Sequence, residues 1–131
     1  MSALILVVDD EPDVADLFRQ QFRREIRSAR FAMEFAQSAP EALKVVEMVE
    51  DASLILILSD INMPGMDGLA LLREIKHRRP ELPVVMVTAY GDDERRRTAK
   101  ELGAAAFLAK PVDFDRLKQH LAELIPRSPN A

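Results

Sequence analysis

Short continuous apolar runs alternate along the chain with stretches in which apolar residues recur every three or four positions. Continuous runs lie at 4–8, 54–58, 83–87 and 104–109, and a weaker one, interrupted by Glu34, at 31–36. Their length and their polar or turn-forming boundaries predict five strands, that at 31–36 the weakest. Between them the helical spacing returns. Val14, Leu17, Phe18, Phe22 and Ile26 follow Pro12, a residue well suited to the first turn of a helix. Ser38 and Glu41 have the spacing of a capping box, and Ala42, Val45, Val46 and Val49 line the helix that it opens. A third helix is predicted from Leu69 to about Arg79, with Leu69, Leu72 and Ile75 turned inward. Residues 92–102 predict a fourth, with little beyond Ala99 and Leu102 to anchor it. Phe114, Leu117, Leu121, Leu124 and Ile125 form the stripe of a fifth, which Pro126 ends.

Strand and helix thus alternate five times. Continuously apolar strands belong in a parallel sheet covered on both faces, and right-handed crossovers place helices on each side. The expected architecture is one α/β domain over residues 1–125, a doubly wound five-stranded parallel sheet with five helices, followed by a short tail at 126–131. In such a sheet the ligand crevice lies at the carboxyl ends of the strands. The sequence places polar side chains there. Asp9 and Asp10 follow the first strand, Asp60 closes the third, and Thr88 closes the fourth. Lys110, followed by Pro111, closes the fifth; the second strand ends without such a residue.

Composition narrows the chemistry. The 131 residues suit one domain with its own core. With no cysteine, disulfides and thiolate metal sites are excluded. His77 and His120 have no partner at metal-ligand spacing. A net charge of −4, from 18 basic and 22 acidic residues, gives no support for broad nucleic-acid binding. No apolar run reaches the ~20 residues needed to span a bilayer, and the N-terminus lacks a basic leader, which places the chain in the cytoplasm by default.

Three carboxylates gathered at one rim repel one another and call for a cation. Oxygen ligands without His or Cys suit Mg²⁺ (or Mn²⁺). A carboxylate can itself be a nucleophile and form an aspartyl-phosphate, while an amine and a hydroxyl hold the phosphoryl oxygens. Each motif alone has a plainer reading. "DDEP" serves as a helix cap, "MPGMDG" as a turn, Thr88 as a strand end, and Phe107 as core. The runs Arg95, Arg96, Arg97 and His77, Arg78, Arg79 read as solvated helix faces. Four strand ends supplying compatible chemistry together outweigh these separate readings.

In order and spacing, "VVDDEP", "SDINMPGMDG", "VTAY" and "FLAKP" resemble the receiver domain of two-component response regulators, from about Leu4 to Ile125. The resemblance implies a flavodoxin-like fold with strand order 2-1-3-4-5. It makes Asp60 the phosphoacceptor, Asp10 a direct Mg²⁺ ligand with Asp9 indirect, and Asn62 the residue whose carbonyl completes the metal shell. It gives Thr88 and Lys110 contact with the phosphoryl group, Thr88 and Phe107 the switch, and the bond before Pro111 a cis geometry. Asn62 and Tyr90 would flank the phosphate and influence its lifetime. The implied partner is a histidine kinase or histidine phosphotransfer protein, with no nucleic acid or membrane bound directly. The implied output is a changed face formed by the fourth helix, fifth strand and fifth helix, read by a separate protein or a severed output domain. Monomer and homodimer are both compatible with the pattern. Two other readings stand beside this one. A Mg²⁺-dependent aspartyl-phosphate phosphatase would place a second acid where Asn62 stands, and a pseudo-receiver would lack part of the acid set or the lysine. The segments "RREIRSARFAMEF" and "VEMVEDASL" are longer than is common in the family.

Overall fold

A computed structural model describes residues 3–28, 31–49, 54–88 and 93–124. The strands are β1 (Leu4–Val8), β2 (Ala32–Ala36), β3 (Leu54–Asp60), β4 (Val84–Thr88) and β5 (Ala106–Ala109). They form one parallel sheet in the order β2-β1-β3-β4-β5. The helices are α1 (Pro12–Gln21), α2 (Arg23–Arg27), α3 (Ala39–Met48), α4 (Gly68–Arg78), α5 (Asp93–Glu101) and α6 (Phe114–Leu124).

Alternation hidden inside the apolar strands divides the core in two. Leu6, Val8, Ile57, Val84 and Met86 face a cluster with Ala42, Val46, Leu71, Leu72, Ile75 and Ala99, under α3, α4 and α5. Ile5, Val7, Leu56, Leu58, Val85 and Val87 face the other side, with Phe18, Phe22, Leu117 and Leu121. Successive strand side chains point to opposite faces, so a strand buried on both sides needs apolar residues throughout.

The first crossover carries two helical pieces rather than one. The chain turns at Phe22 (φ −106, ψ 18), and the short α2 follows within the long segment noted above. Leu17 is 44% exposed, while Phe18 and Phe22 are buried and their rings stack. The predicted inward stripe of α4 also shifts. Leu71, Leu72 and Ile75 are buried, and Leu69 is half-buried at the margin. Gly68, Leu71, Leu72 and Ile75 form the i, i+3, i+4, i+7 face, and the glycine is part of the buried stripe. The capping box opens α3: Glu41 N donates to Ser38 Oγ at 3.2 Å, and Gln37 N donates to Glu41 Oε2 at 3.2 Å.

The run ending at Arg79 is not a purely solvated face. Arg79 is half-buried and donates to the Val46 and Val49 carbonyls at the end of α3. Arg78 pairs with Glu47 and Glu74. The predicted stripe member Ile125 and the tail at 126–131 lie outside the described residues.

Candidate functional site

The register brings the strand ends level. Val8 pairs with Ser59, Asp60 with Val87, and Thr88 with Ala109. Strand order reverses around β1, so the crevice lies beyond the ends of β1 and β3. Asp60 occupies it, only 4% exposed. Its Oδ2 accepts from Lys110 Nζ at 3.0 Å, and its Oδ1 accepts from Asn62 N at 3.3 Å. Lys110 also donates to Asp9 Oδ2 at 3.3 Å, while Asp9 Oδ1 accepts from Glu11 N at 3.0 Å. One ammonium therefore bridges acids delivered by two strands.

The acidic pair does not cap α1. Glu11 holds the cap position without a side-chain cap bond, and Pro12 begins the helix. Asp9 and Asp10 are left to the crevice, where oxygens of Asp9, Asp10 and Asp60 lie within 4.8 Å of one another. An all-oxygen set from three carboxylates fits a hard divalent cation.

Burial raises the Asp60 carboxyl above its ordinary range; Lys110 pulls the other way, and Asp9 adds to the rise. Burial works against the Lys110 ammonium, but its hydrogen bond and charge contact with Asp60, then Asp9, outweigh that and raise it. A carboxyl raised on folding contributes stability below its unfolded value of 3.8, and that contribution is lost as pH rises through the folded value. Asp60→Asn removes this neutral-pH penalty while Lys110 keeps Asp9. Its melting temperature in chelator should exceed wild type at pH 7 by on the order of 5 °C. The gap should narrow toward pH 4. A variant melting at or below wild type at pH 7 would contradict this account.

The other predicted residues fall around the same rim. Thr88 is buried and donates to the Leu108 carbonyl at 3.5 Å. Asn62 is exposed beside Asp60. The Lys110–Pro111 bond is cis. Phe107, half-buried on β5, packs against the α3–α5 core, with the Arg96 guanidinium 5.2 Å from its ring centre. Tyr90 lies outside the described residues.

Three contributors were not anticipated. Gly68 packs where a Cβ would lie 2.2 Å from the Asp60 carbonyl oxygen and 2.7 Å from Ile61 Cα. Asp67 caps α4 by accepting from Ala70 N at 2.9 Å. Arg95, assigned above to a solvated face, donates to Asn62 Oδ1. The D-G pair at 67–68 held a signal for the first two, because a cap residue before a glycine can mark a close helix start. Nothing local signals the reach of Arg95.

The family model for the response regulator receiver domain matches residues 5–122. The chain belongs to that family. As a receiver domain it is 31% identical over 130 residues to sporulation initiation phosphotransferase F of Bacillus subtilis, covering 99% of each chain. It is 36% identical over 127 residues to the response regulator protein PilR of Pseudomonas aeruginosa, covering 96% of this chain but only 27% of PilR. Against the solved receiver domain of NtrX from Brucella abortus it has a TM-score of 0.79 and 38% identity, covering 95% of this chain and 99% of that one. The receiver architecture, with β-strand order 2-1-3-4-5, is thus seen in the fold and in its relatives. No described helix of this receiver is long and apolar enough to cross a membrane.

Proposed function

We propose that this receiver takes a phosphoryl group from a phosphohistidine on a kinase or phosphotransfer partner onto Asp60. The phosphorus–nitrogen bond to histidine breaks as a phosphorus–oxygen bond to Asp60 forms, and the imidazole regains a proton from solvent. The observation that carries this reading is the buried Asp60 carboxylate held at Oδ2 by Lys110 and grouped with Asp9 and Asp10. Burial strips water from the nucleophile, and the ammonium is set to balance charge gained during transfer. Asp10 and Asp60, with the Asn62 carbonyl and Asp9 behind them, would hold Mg²⁺ (or Mn²⁺), which when bound neutralises phosphoryl charge.

Thr88 is the group that would turn to a phosphoryl oxygen, exchanging its long bond to the Leu108 carbonyl for a charge-assisted one. Phe107 would follow into the space released, and the face of α5, β5 and α6 would change shape for a downstream protein or an attached output domain. This is a signalling role in the cytoplasm, with turnover limited to self-catalysed gain and loss of phosphate.

Intact mass after incubation with Mg²⁺ and acetyl phosphate tests it. A single phosphoryl adduct on wild type, absent from Asp60→Asn, is expected. An equal adduct on the variant, or none on wild type with either acetyl phosphate or a phosphorylated histidine donor, would overturn the assignment.

A further inference from the structure

The helix α5 is held weakly by apolar packing, for Ala99 is its one buried residue. Its first turns make polar contacts instead. Arg95 donates across a wide sequence gap to Asn62 Oδ1, and Arg96 lies over the Phe107 ring. The Asn62 backbone N–H in turn donates to Asp60 Oδ1 at 3.3 Å. A chain of three groups therefore runs from α5 through Asn62 to the carboxylate at the site.

We propose that Arg95 is a positioning residue that acts on Asp60 through Asn62 and prolongs the life of the phosphorylated carboxylate. This rests on the phosphoacceptor reading above. Asn62 is exposed, whereas Asp60, two residues before it and held by its backbone N–H, is buried. Without a partner, an exposed amide turns among its rotamers. The Arg95 guanidinium selects one in which Oδ1 faces α5, so the amide stays as a fixed obstacle beside Asp60. Loss of the phosphoryl group requires water there. The water oxygen bonds to phosphorus as the bond from phosphorus to the Asp60 oxygen breaks. Inorganic phosphate leaves, the carboxylate is restored, and a water proton passes to solvent. Holding Asn62 narrows the approach of that water.

The test compares wild type, Arg95→Ala, Arg95→Lys, Asn62→Ala and the Asn62→Ala/Arg95→Ala double variant. Each is phosphorylated with acetyl phosphate and Mg²⁺, freed of donor, and followed by intact mass. Arg95→Ala should lose its adduct about three- to tenfold faster than wild type, the scale of one charge-assisted hydrogen bond at a partly exposed site. Arg95→Lys should fall between them. In the Asn62→Ala background, removing Arg95 should change the rate less than about twofold, because the group it acts through is gone. Arg97→Ala, at an exposed position on the same helix, should match wild type and so separates positioning from general loosening of α5. Wild-type lifetime in Arg95→Ala, or an undiminished effect in the Asn62→Ala background, overturns the proposal. Failure of wild type to form any adduct, with acetyl phosphate or with a phosphorylated histidine donor, overturns the phosphoacceptor reading itself, and this proposal with it.

Discussion

Gly68→Ala is expected to destabilise the protein by about 2–3 kcal/mol, although alanine is the better helix former by ~1 kcal/mol. The reason is the identity of the obstructing atoms. The added methyl would meet the Asp60 carbonyl oxygen at 2.2 Å, Ile61 Cα at 2.7 Å and the Asp60 carbonyl carbon at 3.0 Å. All are backbone, so no rotamer change relieves the clash. The Asp60 carbonyl also accepts from Ser59 Oγ, and Gly68 N donates to the Ile61 carbonyl at 2.8 Å, which fixes both sides of the contact. Relief must come from lifting the start of α4 away from the end of β3, and Asp60 sits at that end. Thermal melting should fall by about 10 °C or more, and adduct formation should drop alongside it. Gly65→Ala is the control. That glycine has φ +74 but nothing within 4 Å of its missing Cβ, so its cost should stay near ~1 kcal/mol of backbone strain. Equal effects at the two glycines would refute the close-approach argument.

Lys110→Met should lower the rate of adduct formation by about 100-fold or more while the fold persists, checked by intact mass and a thermal melt. The ammonium contacts both Asp9 and Asp60, at 3.3 and 3.0 Å. Methionine keeps most of the aliphatic bulk and removes the charge. Lys110→Arg should restore only part of the loss, since a planar fork cannot occupy the place of a compact ammonium between two carboxylates. Because the carboxylates raise the lysine above 10.5, its contribution to stability is complete below that value and is lost only as pH rises through the folded value. Wild-type adduct formation should therefore show no loss attributable to Lys110 between pH 7 and 9. A rate in Lys110→Met close to wild type would remove the lysine from the chemistry.

Much of this was legible in the residues, because polarity is written locally. Apolar runs marked four of the five strands, with Glu34 interrupting the second, and Asp9, Asp60, Thr88 and Lys110 stood where those runs stopped. The parallel sheet then had only to bring the stops together. What escaped depended on shape or distance. Gly68 belongs to the buried face of α4, yet a residue without a side chain carries no hydrophobic mark; reading the stripe from Leu69 missed Leu71 for that reason. Leu17 has the spacing of a core residue, but the face that α1 buries follows Phe18 and Phe22, and Leu17 is left 44% exposed beside it. Arg79 and Arg95 sit in charge runs that look uniformly solvated. Their partners, Val46, Val49 and Asn62, are some thirty positions away in sequence, and only the packed helices bring them within reach.

The parallel connection of the sheet has a consequence that no single side chain carries. Each strand ends at the acidic rim, and α1, α3, α4 and α6 begin there after short loops, at Pro12, Ala39, Gly68 and Phe114. Their first-turn amide groups therefore gather at the same end of the molecule as Asp9, Asp10 and Asp60. Each helix start carries roughly half a positive elementary charge from its aligned peptide dipoles. The rim thus lies in a positive field supplied by the backbone, one that helps three neighbouring carboxylates coexist and favours an incoming anion. Point substitution can alter what stands in that field, but only a change of topology could remove it.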